Sequence, residues 1–250
     1  MLELTLLIIG MVAGTLGSML GVGGGFLIVP TLVLIGLPMH SAVSTSLAST
    51  IMTSVASSSV YSERGLVDFK IGLLLEIFAA AGAVGGAHLA IYLPENVLEV
   101  MFGFILLYVS LKMFRKQVHI KERGLRRRCL LLVPLFAFLA GMASGMLGIG
   151  GGTLKVPLMV LILNIPTRIA IATSVFMVGI TASSGAIVYW FKGLLNPYVV
   201  APIAVGIFLG SRVGTRLSLR SGELTLRRAF GLLLTFIAVR MLFKGLGVWV

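Results

Sequence analysis

Long, nearly uncharged apolar segments recur along the whole 250-residue chain. A transmembrane helix needs about 20 mostly apolar residues to cross roughly 30 Å of hydrocarbon. Only 11% of the residues are charged, whereas a soluble domain has about a quarter. The sequence therefore predicts an all-α, polytopic integral membrane protein, and it excludes an ordinary soluble enzyme and a disordered chain. The long segments lie at residues 2–20, 42–61, 69–91, 96–114, 129–147, 169–190, 197–217 and 227–246.

Two shorter apolar runs, residues 26–37 and 153–163, each follow a cluster of glycines. As helices these runs would be only about 17 Å long, which is too short to span a bilayer unaided. Unpaired backbone inside a bilayer costs several kcal/mol per group unless protein or a water-filled cavity satisfies it. The clusters therefore predict non-helical backbone beside a cavity. The alternative is that the glycines only allow helices to pack closely.

The two halves of the chain repeat each other. Residues 21–30 match residues 148–157 at an offset of 127, and from Ala42 onward the offset is 128. Coincidence of composition does not give a collinear series of matches over about 70 residues. We therefore divide the chain into a first transmembrane repeat (1–114), a basic linker (115–128) and a second transmembrane repeat (129–250).

Basic residues indicate the orientation, because Lys and Arg concentrate on the cytoplasmic side. The linker has seven basic residues and one acid, which predicts that it is cytoplasmic. If each short run completes a crossing, each half has five segments, the repeats are inverted and both termini are external. In that arrangement 16 of the 20 Lys and Arg residues are cytoplasmic. The alternative of four crossings per half places five arginines between residues 212 and 228 outside.

We therefore expect two inverted repeats of about five segments each, with 8–10 transmembrane helices and glycine-broken short helices. Inverted repeats with broken helices are typical of transporters that bind substrate at the bilayer midplane. Free N–H groups and the positive dipole end of each short helix favour an anion there. Pro30 and Pro157 are expected near the starts of these helices, where a missing N–H does least damage. The candidate substrate-binding glycines are Gly21, Gly23, Gly24, Gly25, Gly148, Gly150, Gly151 and Gly152.

Hydroxyl side chains add a second set of candidates. Residues 41–62 include twelve serines and threonines, and Thr45 and Ser46 recur as Thr173 and Ser174 in the second repeat. Hydroxyls donate hydrogen bonds to oxyanions without contributing a charge. We predict that these four residues contact the substrate. The alternative is that they form interhelical hydrogen bonds.

Two ionisable residues lie within the apolar segments. Lys155 replaces Ile28 of the first repeat, and a charge there costs about 2.5–3.5 kcal/mol on insertion scales. We predict that Lys155 attracts the anionic substrate, and the alternative is that it snorkels to the nearby surface. Glu76 is the carboxylate well inside a long segment. It either exchanges a coupling proton or pairs structurally with a cation of a neighbouring helix.

Other classes of protein receive less support. The sequence shows no paired carboxylates and no Cys/His cluster with metal-ligand spacing, so we predict no metal and no cofactor. No nucleophile or acid–base pair indicates an enzyme. The net charge of +12 comes mainly from loops and does not indicate nucleic-acid binding. The expected partners are a small anion and the lipid bilayer, and the sequence is also compatible with a homodimer.

The doubled motif G-x-G-G-G-x-x-x-x-P, at Gly21 to Pro30 and Gly148 to Pro157, resembles the TauE/SafE family of sulfite exporters and 4-toluenesulfonate uptake permeases. The resemblance covers nearly the whole chain. It implies a multi-pass transporter of the cytoplasmic (inner) membrane that moves sulfur-containing oxyanions, such as sulfite, or organosulfonates by alternating access. The alternative function is proton-coupled transport of another small organic anion or of a cation.

Overall fold

The computed structural model describes residues 2–114, 133–161, 163, 165–220 and 235–247, and these ranges contain helices and no strand. The prediction of an all-α protein is confirmed. The predicted linker 115–128 and the beginning of the predicted segment 227–246 lie outside the described residues. The helices are α1 (Leu2–Leu20), α2 (Gly25–Leu34), α3 (Met39–Glu63), α4 (Phe69–Tyr92), α5 (Glu95–Phe114), α6 (Val133–Leu147), α7 (Gly152–Leu161), α8 (Thr167–Phe191), α9 (Pro197–Arg220) and α10 (235–245).

Four of the described helices, α1, α4, α8 and α9, are long and apolar enough to cross a membrane. Helix α3 is as long as α8, at 25 residues, and many of its serines and threonines are buried. On the outer face of α4, large apolar side chains such as Leu74 and Ile77 are exposed. Exposed apolar side chains on long helices are what a lipid environment favours. The structure is that of a polytopic membrane protein.

Glycines bring α1 into close contact with α9. A Cβ atom at Gly10 would overlap with the backbone of Ile203, and one at Gly14 would overlap with Ile207. The residue numbers rise together along both helices, so α1 and α9 are parallel. The same parallel packing joins α4 of the first repeat to α6 of the second. Small residues permit this close helix approach in membrane proteins.

Helices α3 and α8, which are equivalent in the two repeats, cross in opposite directions. Leu47 of α3 lies against Gly185, whereas Ser54, later in α3, lies against the earlier Gly179. Inverted repeats require this antiparallel packing of equivalent helices. The orientation of each repeat in the membrane stays a prediction.

The short helices correct one expectation about the prolines. Helix α2 begins at Gly25, so Pro30 is the sixth of its ten residues and not near its start. Pro157 has the same position in α7, which begins at Gly152. A proline in a helix interior removes one intrahelical hydrogen bond. Ten residues correspond to about 15 Å of helix, roughly half of the hydrocarbon thickness.

Candidate functional site

Two glycine-rich breaks interrupt the helices at equivalent places. The first glycine loop, residues 21–24, separates α1 from α2, and the second glycine loop, residues 148–151, separates α6 from α7. Three glycines in each loop have left-handed backbone, with φ from 70° to 91°. Residues with a side chain rarely adopt this conformation, so both loops require glycine. These residues are Gly21, Gly23, Gly24, Gly148, Gly150 and Gly151.

The two glycine loops touch each other in the protein core. A Cβ atom added at Gly25 would overlap with the carbonyl oxygen of Gly148. The mirror contact also exists, because a Cβ atom at Gly152 would overlap with the carbonyl oxygen of Gly21. The structure therefore brings together all eight glycines that the sequence selected, as parts of one central feature.

Two side chains lie between the loops. A Cβ position at Gly23 lies 2.7 Å from Cγ1 of Val178 and 2.9 Å from Cγ2 of Thr50. A Cβ position at Gly150 lies 3.1 Å and 3.2 Å from the same two atoms. Thr50 and Val178 are each the twelfth residue of a 25-residue helix. The glycine loops thus lie at the middle of α3 and α8. A membrane-spanning helix has its middle near the bilayer midplane, far from water.

Serine hydroxyls hold each loop to the opposite repeat. Ser46 donates a hydrogen bond of 2.7 Å to the carbonyl oxygen of Gly148, and Ser174 donates one of 2.8 Å to that of Gly21. Both serines are fully buried. The sequence suggested either substrate contact or interhelical hydrogen bonding for these residues, and the structure shows hydrogen bonds to the loops.

In the described structure, the amino-terminal end of α2 has unpaired backbone N–H donors. Its N-cap residue is Gly24, which has no side chain to cap the helix. The backbone N–H groups of Gly24 and Gly25 have no acceptor within the described residues. Free N–H groups and the positive end of the helix dipole make such an end suitable for an anion.

The two predicted threonines differ in their surroundings. The Thr173 hydroxyl accepts a hydrogen bond of 2.9 Å from the backbone N–H of Asp68, so it holds the N-cap residue of α4. Thr45, its counterpart, is buried, and its hydroxyl has no partner in the part of the chain that the structure describes. Only Thr45 of this pair therefore has a free hydroxyl.

Other buried hydroxyls also lack a partner among the described residues. A hydroxyl left unpaired in a protein interior costs about 1–3 kcal/mol, so such groups favour contact with water or a ligand. Most of these hydroxyls lie along α3. Ser144 instead lies beside the second glycine loop, with its Oγ 3.5 Å from a Cβ position at Gly151. Besides Thr45, these residues are Ser49, Thr50, Ser57, Ser58 and Ser144.

Lys155 is fully buried and points into the protein. Its Nζ lies 2.8 Å from Oε2 of Glu76 and also donates to the hydroxyl of Thr181, which in turn donates to Oε1 of Glu76. The three side chains come from α7, α4 and α8. The structure thus pairs Glu76 with a cation of a neighbouring helix. Binding of substrate by Lys155 and proton coupling by Glu76 both stay predictions.

Sequence reasoning missed Thr181 and Ser144. A usable signal existed for Thr181, because the offset of 128 maps it onto Thr53 of the hydroxyl-rich segment. Thr53 donates a hydrogen bond of 2.9 Å to the carbonyl oxygen of Gly23. No comparable signal marks Ser144, whose repeat counterpart at an offset of 127 is Gly17.

The matched tyrosines are a further pair whose role the sequence did not indicate. The Tyr61 hydroxyl donates to the carbonyl oxygen of Ser18 at 3.2 Å, and that of Tyr189 donates to Gly145 at 3.1 Å. Both acceptors lie in the last turn before a glycine loop. The tyrosines therefore fix the ends of α1 and α6.

In the described ranges, no group of three or more His, Cys, Asp or Glu side chains could hold a metal ion.

An all-helical membrane protein whose helices break at two facing glycine loops has the architecture of a multi-pass membrane transporter. The profile described as "Sulfite exporter TauE/SafE" matches residues 6–241. The chain belongs to this family, as its sequence motif predicted.

Relatives along the whole chain are named as transporters. The chain is similar to "Probable membrane transporter protein YunE" of Bacillus subtilis, with 27% identity over 96% of this chain and 97% of the relative. It is similar to "Probable membrane transporter protein MJ0441" of Methanocaldococcus jannaschii, with 28% identity over 95% and 94%. A shorter match, 36% identical over 34% of this chain and 19% of the relative, is to "Sulfite exporter TauE/SafE family protein 6" of Arabidopsis thaliana. No solved structure matches the chain.

Proposed function

We propose that this protein carries small sulfur-containing oxyanions or organosulfonates, such as sulfite, across the cytoplasmic membrane by alternating access. The observation that carries the proposal is the contact of the two glycine loops at the middle of α3 and α8. The family description supports the substrate class.

The chemistry of the loops suits an oxyanion. The N–H groups of Gly24 and Gly25 have no acceptor in the described structure and lie at the positive end of α2. Unpaired hydroxyls, such as those of Thr45, Ser49 and Thr50, add donors without net charge. Donors of this kind hold an anion by hydrogen bonds and add no charge of their own to the site.

Alternating access is supported by the antiparallel packing of α3 and α8. In transporters with inverted repeats, one repeat moves against the other around a fixed central site. The glycine loops lie at this contact, and the serine hydroxyls of Ser46 and Ser174 join each loop to the opposite repeat. The proposal also takes the linker 115–128 as cytoplasmic and both termini as external.

Transport in proteoliposomes tests the proposal. Purified protein is reconstituted, and uptake of radiolabelled sulfite, 4-toluenesulfonate and sulfate is followed with and without an imposed proton gradient. We expect saturable uptake of at least one sulfur anion, inhibited by an excess of the unlabelled anion. Correctly folded protein that carries none of them, or that carries a cation instead, would contradict the proposal.

The alternative of a cation carrier gains no support from the site. A divalent cation favours free carboxylates, and the Glu76 carboxylate is paired with Lys155 at 2.8 Å. The free N–H groups of Gly24 and Gly25 at the positive end of α2 favour an anion over a cation.

A further inference from the structure

Beside the glycine loops, the two repeats differ in their charged residues. At the position of Lys155 the first repeat has Ile28, and at that of Glu76 the second repeat has Ala204. The third member of the cluster, Thr181, has a threonine counterpart in Thr53. The ion pair joins the two repeats, with Glu76 from the first and Lys155 from the second, and the equivalent pair of positions, Ala204 and Ile28, carries no charge.

The ion pair changes what the shared threonine does. Thr53 donates its hydrogen bond to the carbonyl oxygen of Gly23, in the first glycine loop. Thr181 instead donates to Glu76 and accepts from Lys155. The hydroxyl of Thr181 thus bonds to Lys155 and Glu76, whereas the equivalent hydroxyl of Thr53 stabilises the first glycine loop.

The stem of Lys155 runs along the second glycine loop. Its Cε atom lies 3.3 Å from a Cβ position at Gly151, and Ser144 lies 3.3 Å from that same position. Ser144 is buried, and its hydroxyl has no partner in the described part of the chain. The stem of one cation and one unpaired donor thus both lie against Gly151 of the second glycine loop.

A buried lysine needs an anion beside it, because an uncompensated charge in a protein interior is strongly unfavourable. Glu76 supplies that anion in the structure, with both side chains at most 2% exposed. A substrate oxyanion bound at Lys155 while Glu76 stays ionised would place two negative charges on one cation. Binding is therefore favourable only if Glu76 becomes neutral at the same time.

We propose that Glu76 is an internal counter-ion that the substrate displaces from Lys155, and that each oxyanion binds together with one proton, which the Glu76 carboxylate accepts. This inference rests on the proposed anion transport. On binding, the proton passes from water to a carboxylate oxygen of Glu76, and the anion takes its place on the Lys155 ammonium. On release, Glu76 returns the proton to water and pairs with Lys155 again. One monovalent anion and one proton cross together, so the step carries no net charge.

The surrounding helices offer no competing buried charge. In the described residues, α6 and the remainder of α7 have no titratable side chain. The other groups of α4 and α8 are exposed near the helix ends, except Tyr189, which donates to Gly145. In α3, His40 and Glu63 lie at the ends and Tyr61 donates to Ser18. The exposed groups of α4 and α8 are Lys70, His88, Tyr92 and Arg168.

Proton uptake on anion binding tests the proposal without any mutation. Purified protein in weakly buffered detergent solution is titrated with 4-toluenesulfonate, which stays ionised across the pH range used, and a pH electrode records the protons taken up. We expect about one proton per anion, and an affinity that falls by up to about tenfold for each unit rise in pH. Binding without proton uptake at every pH would overturn the proposal and leave anion transport standing.

Variants assign the proton to its residue. Glu76→Gln should bind the sulfonate with no proton uptake and no pH dependence, and Lys155→Met should bind roughly tenfold to a hundredfold more weakly. The double variant Glu76→Ala/Lys155→Ile copies the uncharged residues at the equivalent positions, Ala204 and Ile28, so it should fold, bind weakly and take up no proton. Glu99→Gln is the matched control, because Glu99 pairs with Lys244 in α10 at 3.2 Å, and it should keep the wild-type uptake.

Two results would overturn the assignment. Proton uptake that persists in Glu76→Gln would mean that another group accepts the proton. A folded wild-type protein that binds neither 4-toluenesulfonate nor sulfite would overturn the proposed function itself, and this inference with it.

Discussion

Replacing Gly25 with alanine should destabilise the protein, because this glycine lies where the two glycine loops touch. The added methyl group would lie 2.8 Å from Oγ of Ser46 and 3.1 Å from the carbonyl carbon of Gly148, and it would overlap with the oxygen between them. No change of rotamer relieves a contact with backbone. The loops must move apart, which also lengthens the hydrogen bond from Ser46 to Gly148.

The expected cost follows from these two effects. Overpacking costs about 1–3 kcal/mol, and a lost hydrogen bond adds about 1 kcal/mol. The sum is about 2–4 kcal/mol, and a chain of this size loses about 2–4 °C in Tm per kcal/mol. We therefore expect the Tm of the purified protein in detergent to fall by at least about 4 °C. Gly152→Ala makes the mirror contact and should lose a similar amount.

A matched control separates this clash from a general effect of alanine. The control variant is Gly85→Ala, which also replaces a helical glycine, in α4. A Cβ atom at Gly85 has no neighbour within 4 Å in the described structure. Gly85→Ala should not lower the Tm, and it should stabilise the protein by up to about 1 kcal/mol, because alanine favours a helix interior over glycine. If Gly25→Ala and Gly85→Ala have the same Tm, the glycine loops are not in contact and the reasoning is wrong.

Three other changes test the same architecture. Gly151→Val should abolish anion uptake in proteoliposomes, since a β-branched residue resists a φ of 74° and fills the space beside the second glycine loop; uptake at the wild-type rate would make that glycine a packing element only. Ser46→Ala and Ser174→Ala should each cost about 1 kcal/mol in thermal unfolding, with equal values because the hydrogen bonds are equivalent. Glu63→Cys and Phe191→Cys, exposed and equivalent at the ends of α3 and α8, should react with an impermeant thiol reagent from opposite sides of the membrane in a cysteine-free background; labelling from one side would refute the inverted repeats.

The helical framework follows from local sequence pattern. The segment predicted at residues 69–91 is α4, Phe69–Tyr92, and the segment predicted at 2–20 is α1, Leu2–Leu20. Length and apolar character suffice for such helices, because a bilayer imposes both. The glycine clusters also interrupt the helices, as the runs of three consecutive glycines predicted. The positions of Pro30 and Pro157 were predicted wrongly, since the sequence pattern could not show that α2 and α7 begin directly at Gly25 and Gly152.

The contacts of the site could not be predicted in the same way. Ser46 and Gly148 are separated by 102 residues, and no spacing rule joins them. The sequence therefore left open whether Ser46 meets a ligand or another helix. The repeat does let a contact in one half predict its equivalent in the other, because a contact of Ser46 with Gly148 implies one of Ser174 with Gly21. One known contact in such a chain thus predicts a second.

Among the described residues, the serine and tyrosine contacts beside the glycine loops occur twice, whereas the Lys155–Glu76 pair has no charged counterpart at the equivalent positions. The serine and tyrosine hydrogen bonds have a counterpart in each repeat. The positions equivalent to Lys155 and Glu76 hold the uncharged Ile28, in the first repeat, and Ala204, in the second, so the framework accommodates apolar residues there. If the site binds one anion, as proposed, a second copy of the pair would put two cations beside it and slow the release of the anion. In the proposed mechanism a single cation, whose charge Glu76 neutralises between transport cycles, attracts the anion and still lets it leave.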